Sequence, residues 1–152
     1  DELRTRLAPY PDLYASGYSQ DALKEVVEAF CTSAIVRRLP LPAPADLLVD
    51  EAAYLNGLAE AATELRRFIL DILRREDADL DEAEHLLGWM DDIYDQLVTF
   101  DFPDALTGGL RRQTDVVRGV LERTRGDLTT TVQQHRLQAA LKRAESQLGS
   151  SE

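Results

Sequence analysis

An all-α fold is what this sequence predicts, and three observations carry it. Apolar residues recur at i, i+3, i+4 and i+7 through several long stretches, which is the period of one helical face. Nothing alternates with period two for any length, and Val and Ile are sparse. Those stretches are rich in the strong helix formers Ala, Leu, Glu and Arg, and every proline falls between them. The expectation is an antiparallel helical bundle of five helices, with residues 1–152 forming a single domain.

Residues 1–18 read as the end of a helix, stopped by Pro9, followed by a loop carrying Tyr10, Tyr14 and Tyr18. Ser19 is a plausible N-cap for the next helix, SQDALKEVVEAFCTSAIVRRL, and Asp21 favours its first turn. The apolar stripe there is Leu23, Val26, Val27, Phe30 and Ala34. LPLPAPAD, residues 39–46, is a linker with three prolines in eight residues.

Glu51 to Arg75 is the most regular stretch of the chain. Tyr54, Leu55, Leu58, Ala62, Leu65, Ile69 and Ile72 lie on one stripe of its helical wheel. A second line runs Ala53, Gly57, Glu60, Glu64, two small residues that permit close approach and two carboxylates one turn apart. A helix from about Asp81 to Thr99 carries Leu86, Trp89, Met90, Ile93, Tyr94 and Leu97, and Pro103 in FDFPDALTGG marks a break. The next helix runs from Leu110 to Arg125. Gly126 reads as its C′ residue and Asp127 as the cap of a last helix to about Leu148, before a tail at 149–152.

Composition narrows the function. No apolar run of about 18 residues exists, so no helix is expected to span a membrane. The chain opens on Asp1 in a helical pattern without a basic, apolar leader, which reads as no signal peptide and as something removed upstream. A single cysteine, Cys31, excludes an internal disulfide framework and a multi-cysteine zinc site, and it fits a cytoplasmic, reducing home. The net charge of −11 argues against a simple nucleic-acid binder. Yet of the 17 basic side chains only Lys24 and Lys142 are lysines, leaving 15 arginines. Such acidity with so little Lys looks like a high-salt cytoplasm, where a negative surface keeps the protein soluble. Net charge then loses its power to exclude nucleic acid.

Two acidic pairs carry potential chemistry. Glu25 and Glu28 stand at i, i+3 and Glu60 and Glu64 at i, i+4, so each pair projects from one side of its helix. Glu25 and Glu28 lie opposite the apolar stripe, the usual place of a solvated face. Only if the two faces meet do four carboxylates converge. They would then raise one another's pKa, and hard cations such as Mg²⁺ or Mn²⁺ would relieve them. Glu82 and His85 form E-x-x-H, the spacing of di-iron bundles, but His135 has Val132 three residues before it, so the second motif is missing. Trp89 reads as core. Arg66, Arg67, Arg111 and Arg112 are candidate phosphate contacts, against the alternative that they pair with acids a turn away. No Gly-rich phosphate loop, Ser/His/Asp arrangement or H-E-x-x-H is present.

Four motifs resemble the translin family, in its order and spacing over residues 18–126. KEVVEA at 24–29 resembles its Q-E-Y-V-E-A, and YLNGLAEAATELRR at 54–67 resembles D-Y-L-L-G-V-A-D-L-T-G-E-L-M-R of the catalytic branch, translin-associated protein X. IYDQL at 93–97 is similar to V-Y-D-G-F, and Arg125–Gly126 to V-R-G. The resemblance implies a translin-like helical fold, closed oligomeric shells and binding of single-stranded RNA, with single-stranded DNA as a further partner. It also implies Mg²⁺-dependent endoribonuclease activity by acidic side chains. Carried across, Glu25 and Glu28 match the two acids of the first motif. Glu60 falls where the catalytic branch has Asp, and Glu64 matches the acid before L-M-R. The non-catalytic branch lacks an acid at the position of Glu60. Ala53 replaces an Asp, and the expectation is that part of the family's N-terminal helical region is lacking, residues 1–8 reading as its end.

The resulting expectation is a homo-oligomer, TRAX-like and haloarchaeal in character, that cleaves single-stranded RNA. Glu25, Glu28, Glu60 and Glu64 hold Mg²⁺ or Mn²⁺, with metal-bound water as nucleophile. Two alternatives stand beside it: a non-catalytic RNA- or DNA-binding oligomer, and a structural helical scaffold in which the Glu pairs are solvated.

Overall fold

A computed structural model of the chain describes residues 2–149, and its centre is the helix that the sequence marks most clearly. That helix, α5 (Glu51–Leu73), starts where the Asp50 carboxylate accepts the Ala53 backbone N–H at 2.8 Å. Around it stand α3 (Gly17–Val36), α6 (Leu80–Leu97) and α8 (Leu110–Gly149), and α5 touches all three. No described residue is in a strand. The all-α expectation holds.

Being central, α5 is buried on more than its apolar stripe. Leu58, Ala62, Leu65 and Ile69 are in the core, and so are Ala53, Asn56, Gly57, Ala59 and Ala61 on its other sides. Asn56 is satisfied there by donating to the Ala52 and Thr107 carbonyls, at 2.8 and 2.7 Å. Leu86, Met90, Ile93 and Leu97 of α6 and Leu110, Val117, Leu121 and Leu128 of α8 close the same core, with Trp89 packed half-buried against it.

Several expectations need correction. Among the described residues there are four long helices rather than five, because Leu110 to Gly149 is one continuous helix of 40 residues. Gly126 lies inside it, not at a C′ position. A glycine there costs about 1 kcal/mol of helix propensity, but Leu128, two residues on, is fully buried, a gain of about 1.5–3 kcal/mol. The junction is also tied down from outside: Arg125 pairs with Asp91 of α6, and Arg66 of α5 reaches Thr124 and Asp127. Tertiary contacts override the local stop signal.

Helix α3 begins earlier than expected, with Ser16 rather than Ser19 at its N-cap. The Ser19 hydroxyl instead donates back to the Leu13 carbonyl at 2.7 Å. The buried stripe of α3 is Leu23, Val27, Cys31, Ala34 and Ile35, while Val26 and Phe30 are exposed. Short helices fill three expected irregular stretches: α2 (Pro11–Tyr14), α4 (Pro44–Leu47) and α7 (Asp104–Thr107). Proline supplies the first residue of α2 and α4, where its missing N–H costs nothing. The first helix, α1 (Glu2–Leu7), matches the expected helix end before Pro9. Of the expected tail, Gly149 still belongs to α8, and residues 150–152 lie outside the described residues, as does Asp1.

Candidate metal centre

The two acidic pairs meet because α3 and α5 approach unusually closely at Gly57. A Cβ placed there would lie 2.6 Å from both the Lys24 carbonyl oxygen and the Val27 Cβ. Ala53, one turn earlier, is buried at the same contact. The small-residue half of the line Ala53, Gly57, Glu60, Glu64 thus brings the backbones together, and the acidic half emerges where they part. Glu25 and Glu28 flank the contact on α3, and Glu60 follows it one turn later on α5.

Carboxylate oxygens of Glu25, Glu28 and Glu60 lie within 4.8 Å of one another. Glu64 is not part of that trio. It lines the same groove, and its charge reaches Glu28. Burial is the first cause pushing the Glu28 carboxyl above its ordinary range, followed by the charges of Glu25, Glu60 and Glu64. The site is therefore short of positive charge.

One cation of the chain itself is present. Lys24 Nζ donates to Glu60 Oε1 at 3.0 Å and reaches Asp21 Oδ1 at 3.5 Å. Its pKa is raised, chiefly by the hydrogen bond to Glu60. Gln113 of α8 donates to the same Glu60 oxygen at 3.1 Å. The other oxygen, Oε2, is buried and has no partner among the described residues. A lone pair shielded from water and left unmatched is costly.

The sequence did not reveal Lys24 or Gln113 as neighbours of Glu60. Lys24 carries a weak signal, being one of two lysines and adjacent to Glu25. Gln113 carries none, since it arrives from a helix 53 residues away. Cys31 is buried between α3 and the core, and burial raises its thiol pKa, so it is an inert packing residue. Glu82 pairs with Arg38, and no group of three metal-ligating side chains forms around His85 among the described residues.

The four candidate arginines are dispersed. Arg66 donates to Thr124 Oγ1 at 3.0 Å and Asp127 Oδ2 at 2.8 Å, joining α5 to α8. Arg67 stands largely in solvent, 3.6 Å from Glu64. Arg111 pairs with Asp101 at 2.7 Å, and the exposed Arg112 forms no ion pair among the described residues. Arg66 and Arg67 line a groove of about 810 Å³ between α5 and α8, with Arg74, Thr130 and Thr131. Glu25, Glu28 and Glu64 line a different groove, of about 520 Å³, between α3 and α5.

Two known proteins are similar to this chain. An uncharacterized protein of Methanocaldococcus jannaschii is 35% identical over 140 residues, which are 91% of this chain and 61% of that protein. The chain thus spans about three fifths of the length of that relative. The crystal structure of AfC3PO matches at 38% identity with a TM-score of 0.71, covering 86% of this chain and 68% of that one. No protein-family model matches the chain.

Proposed function

The chain belongs to the translin family, and from that premise we propose that it is an oligomeric, single-stranded nucleic-acid-binding protein that cleaves single-stranded RNA with a divalent cation. The observation that carries this reading is the convergence of Glu25, Glu28 and Glu60 within 4.8 Å, from two helices held together by a glycine. In the resemblance to the catalytic, TRAX-like branch these are the positions of the metal-binding acids. The acidic, Lys-poor composition supports a haloarchaeal source.

The residues fit a hard cation. All donors are carboxylate oxygens, Glu60 Oε2 is buried without a partner among the described residues, and burial followed by acidic neighbours pushes Glu28 toward protonation. Glu25, Glu28 and Glu60 would hold Mg²⁺ or Mn²⁺, with Glu64 at the edge. When bound, the cation supplies an activated water and offsets the charge on a phosphodiester under attack. The chain's own residues do the rest. Lys24 and Gln113 hold Glu60 Oε1 and so fix the carboxylate's orientation. Arg67 and Arg112 have guanidinium groups in solvent and suit phosphate contacts, whereas Arg66 and Arg111 must first leave Asp127 and Asp101.

The test is cleavage of single-stranded RNA in Mg²⁺ or Mn²⁺ by wild type and Glu60→Ala. Loss of cleavage in the variant and in EDTA is expected. Activity surviving both would overturn the assignment. Lys24 favours a second reading, binding without chemistry, because an ammonium already neutralises part of the cluster. That reading expects salt-sensitive RNA binding that EDTA leaves unchanged, and no cleavage in any cation.

A further inference from the structure

The groove that begins at the carboxylates continues along α3 and α5 past residues that the metal does not need. From Glu28 the same side of α3 leads through Thr32, Ser33 and Val36 to Arg37, about 13 Å of helix rise away. That span is too long for one phosphate and suits a nucleotide unit. Phe68 of α5 forms part of the opposite wall.

Two of these residues, Thr32 and Arg37, are unexplained by the fold, and a third, Phe68, only in part. Thr32 is only 8% exposed, yet its hydroxyl has no hydrogen-bond partner among the described residues. An unsatisfied buried hydroxyl costs stability unless something else meets it. Arg37 is exposed and forms no ion pair among the described residues, in a protein of net charge −11. Phe68 keeps part of its ring in the groove while its remainder packs on the core. One groove therefore presents, in order, carboxylates, a free hydroxyl, an aromatic face and a free guanidinium.

The geometry points to this groove as the seat of the nucleotide next to the scissile phosphate, with its base against Phe68, its sugar or phosphate oxygen on Thr32 and its far phosphate on Arg37. The inference rests on the nucleic-acid reading above and adds the side chains that position the strand. The ligand class is a single-stranded oligonucleotide, because only an unpaired base offers its face to an aromatic wall. Arg37 and Phe68 are positioning residues for the carboxylate site.

The test is equilibrium binding of a labelled single-stranded oligouridine, in EDTA so that no strand is cut, across a series of salt concentrations. Arg37→Ala is expected to weaken binding roughly tenfold and to lower the salt slope by about one contact. Phe68→Leu is expected to weaken it about fivefold or more at unchanged slope. Arg136→Ala removes the same charge from an exposed site on α8 and should stay within about twofold of wild type. If Phe68→Leu fails to fold, Thr32→Val takes its place. It keeps the side chain's shape, should hold or raise the thermal midpoint, and should weaken binding about threefold. Undiminished affinity in Arg37→Ala and the folded partner variant overturns the groove while leaving nucleic-acid binding intact. An equal loss in Arg136→Ala and Arg37→Ala overturns it too, since general charge would then explain both. Wild type without affinity at any salt removes this inference together with the reading beneath it.

Discussion

The two flanks of α5 treat charge in opposite ways. Toward α8, cations are matched locally: Arg66 has Asp127 and Thr124, and Arg74 has Asp71. Toward α3, Glu25, Glu28 and Glu60 converge, Glu64 lines the same groove, and Lys24 pairs with Glu60. The first flank is what a structural contact looks like when polar groups are satisfied. The second keeps an excess of negative charge and a carboxylate oxygen buried without a partner among the described residues, which burdens the fold and is what the proposed cation would relieve. The proposed function uses the unsatisfied side.

That contrast rests on Gly57, so the largest expected effect comes from filling it. Gly57→Ala places a methyl 2.6 Å from the Lys24 carbonyl and the Val27 Cβ, forcing α3 from α5. A loss of about 1–3 kcal/mol in urea unfolding is expected, the usual cost of overpacking. A variant as stable as wild type would mean that the close approach is not what assembles the acids.

Next in size is Lys24→Met, which takes a like charge away from an incoming cation. Mn²⁺ binding followed by electron paramagnetic resonance should tighten on the order of tenfold. Weaker binding would instead make Lys24 chiefly a brace for Glu60. The matched flank should respond differently. Arg66→Ala is expected to cost about 1 kcal/mol of stability, for a partly exposed ion pair and one hydrogen bond, with Mn²⁺ affinity unchanged. A shift in Mn²⁺ affinity there would break the separation of the flanks.

The smallest effect is a pH dependence without metal. The folded Glu28 carboxyl has a raised pKa. Below the unfolded carboxylate value, about 4.3, it is protonated in both states and costs nothing. As pH rises through that value and on through the folded pKa, the unfolded chain ionises first and stability falls. Glu28→Gln removes this penalty. In EDTA the variant should melt slightly higher than wild type near neutrality, with the difference vanishing as the pH falls below the carboxylate range. A difference that grows on acidification would have the wrong sign.

Much of the fold was legible because α5, α6 and most of α3 announce themselves by period, caps and flanking prolines. The false break at Gly126 shows the limit. A glycine followed by an aspartate is a good local stop, and only the burial of Leu128 and the ion pairs made with Arg66 of α5 and Asp91 of α6 overrule it. The site divided in the same way. The acid pairs and the small residues beside them are periodic and could be named, though helical spacing alone also fits a solvated face. The family resemblance made them a site expectation, and the contact at Gly57 supplied their geometry. Gln113 and the groove wall at Phe68 depend on which helix packs against which, information that no local pattern holds.

The central claim is that Glu25, Glu28 and Glu60 together hold a divalent cation. A Mn²⁺ titration of wild type beside Glu25→Gln, Glu28→Gln and Glu60→Gln, read as the loss of the free-ion resonance, addresses it most directly. The expected result is binding by wild type and a loss of roughly tenfold or more in each variant, with all four proteins folded. A wild type that leaves the free Mn²⁺ signal undiminished, or variants that titrate like wild type, would contradict it.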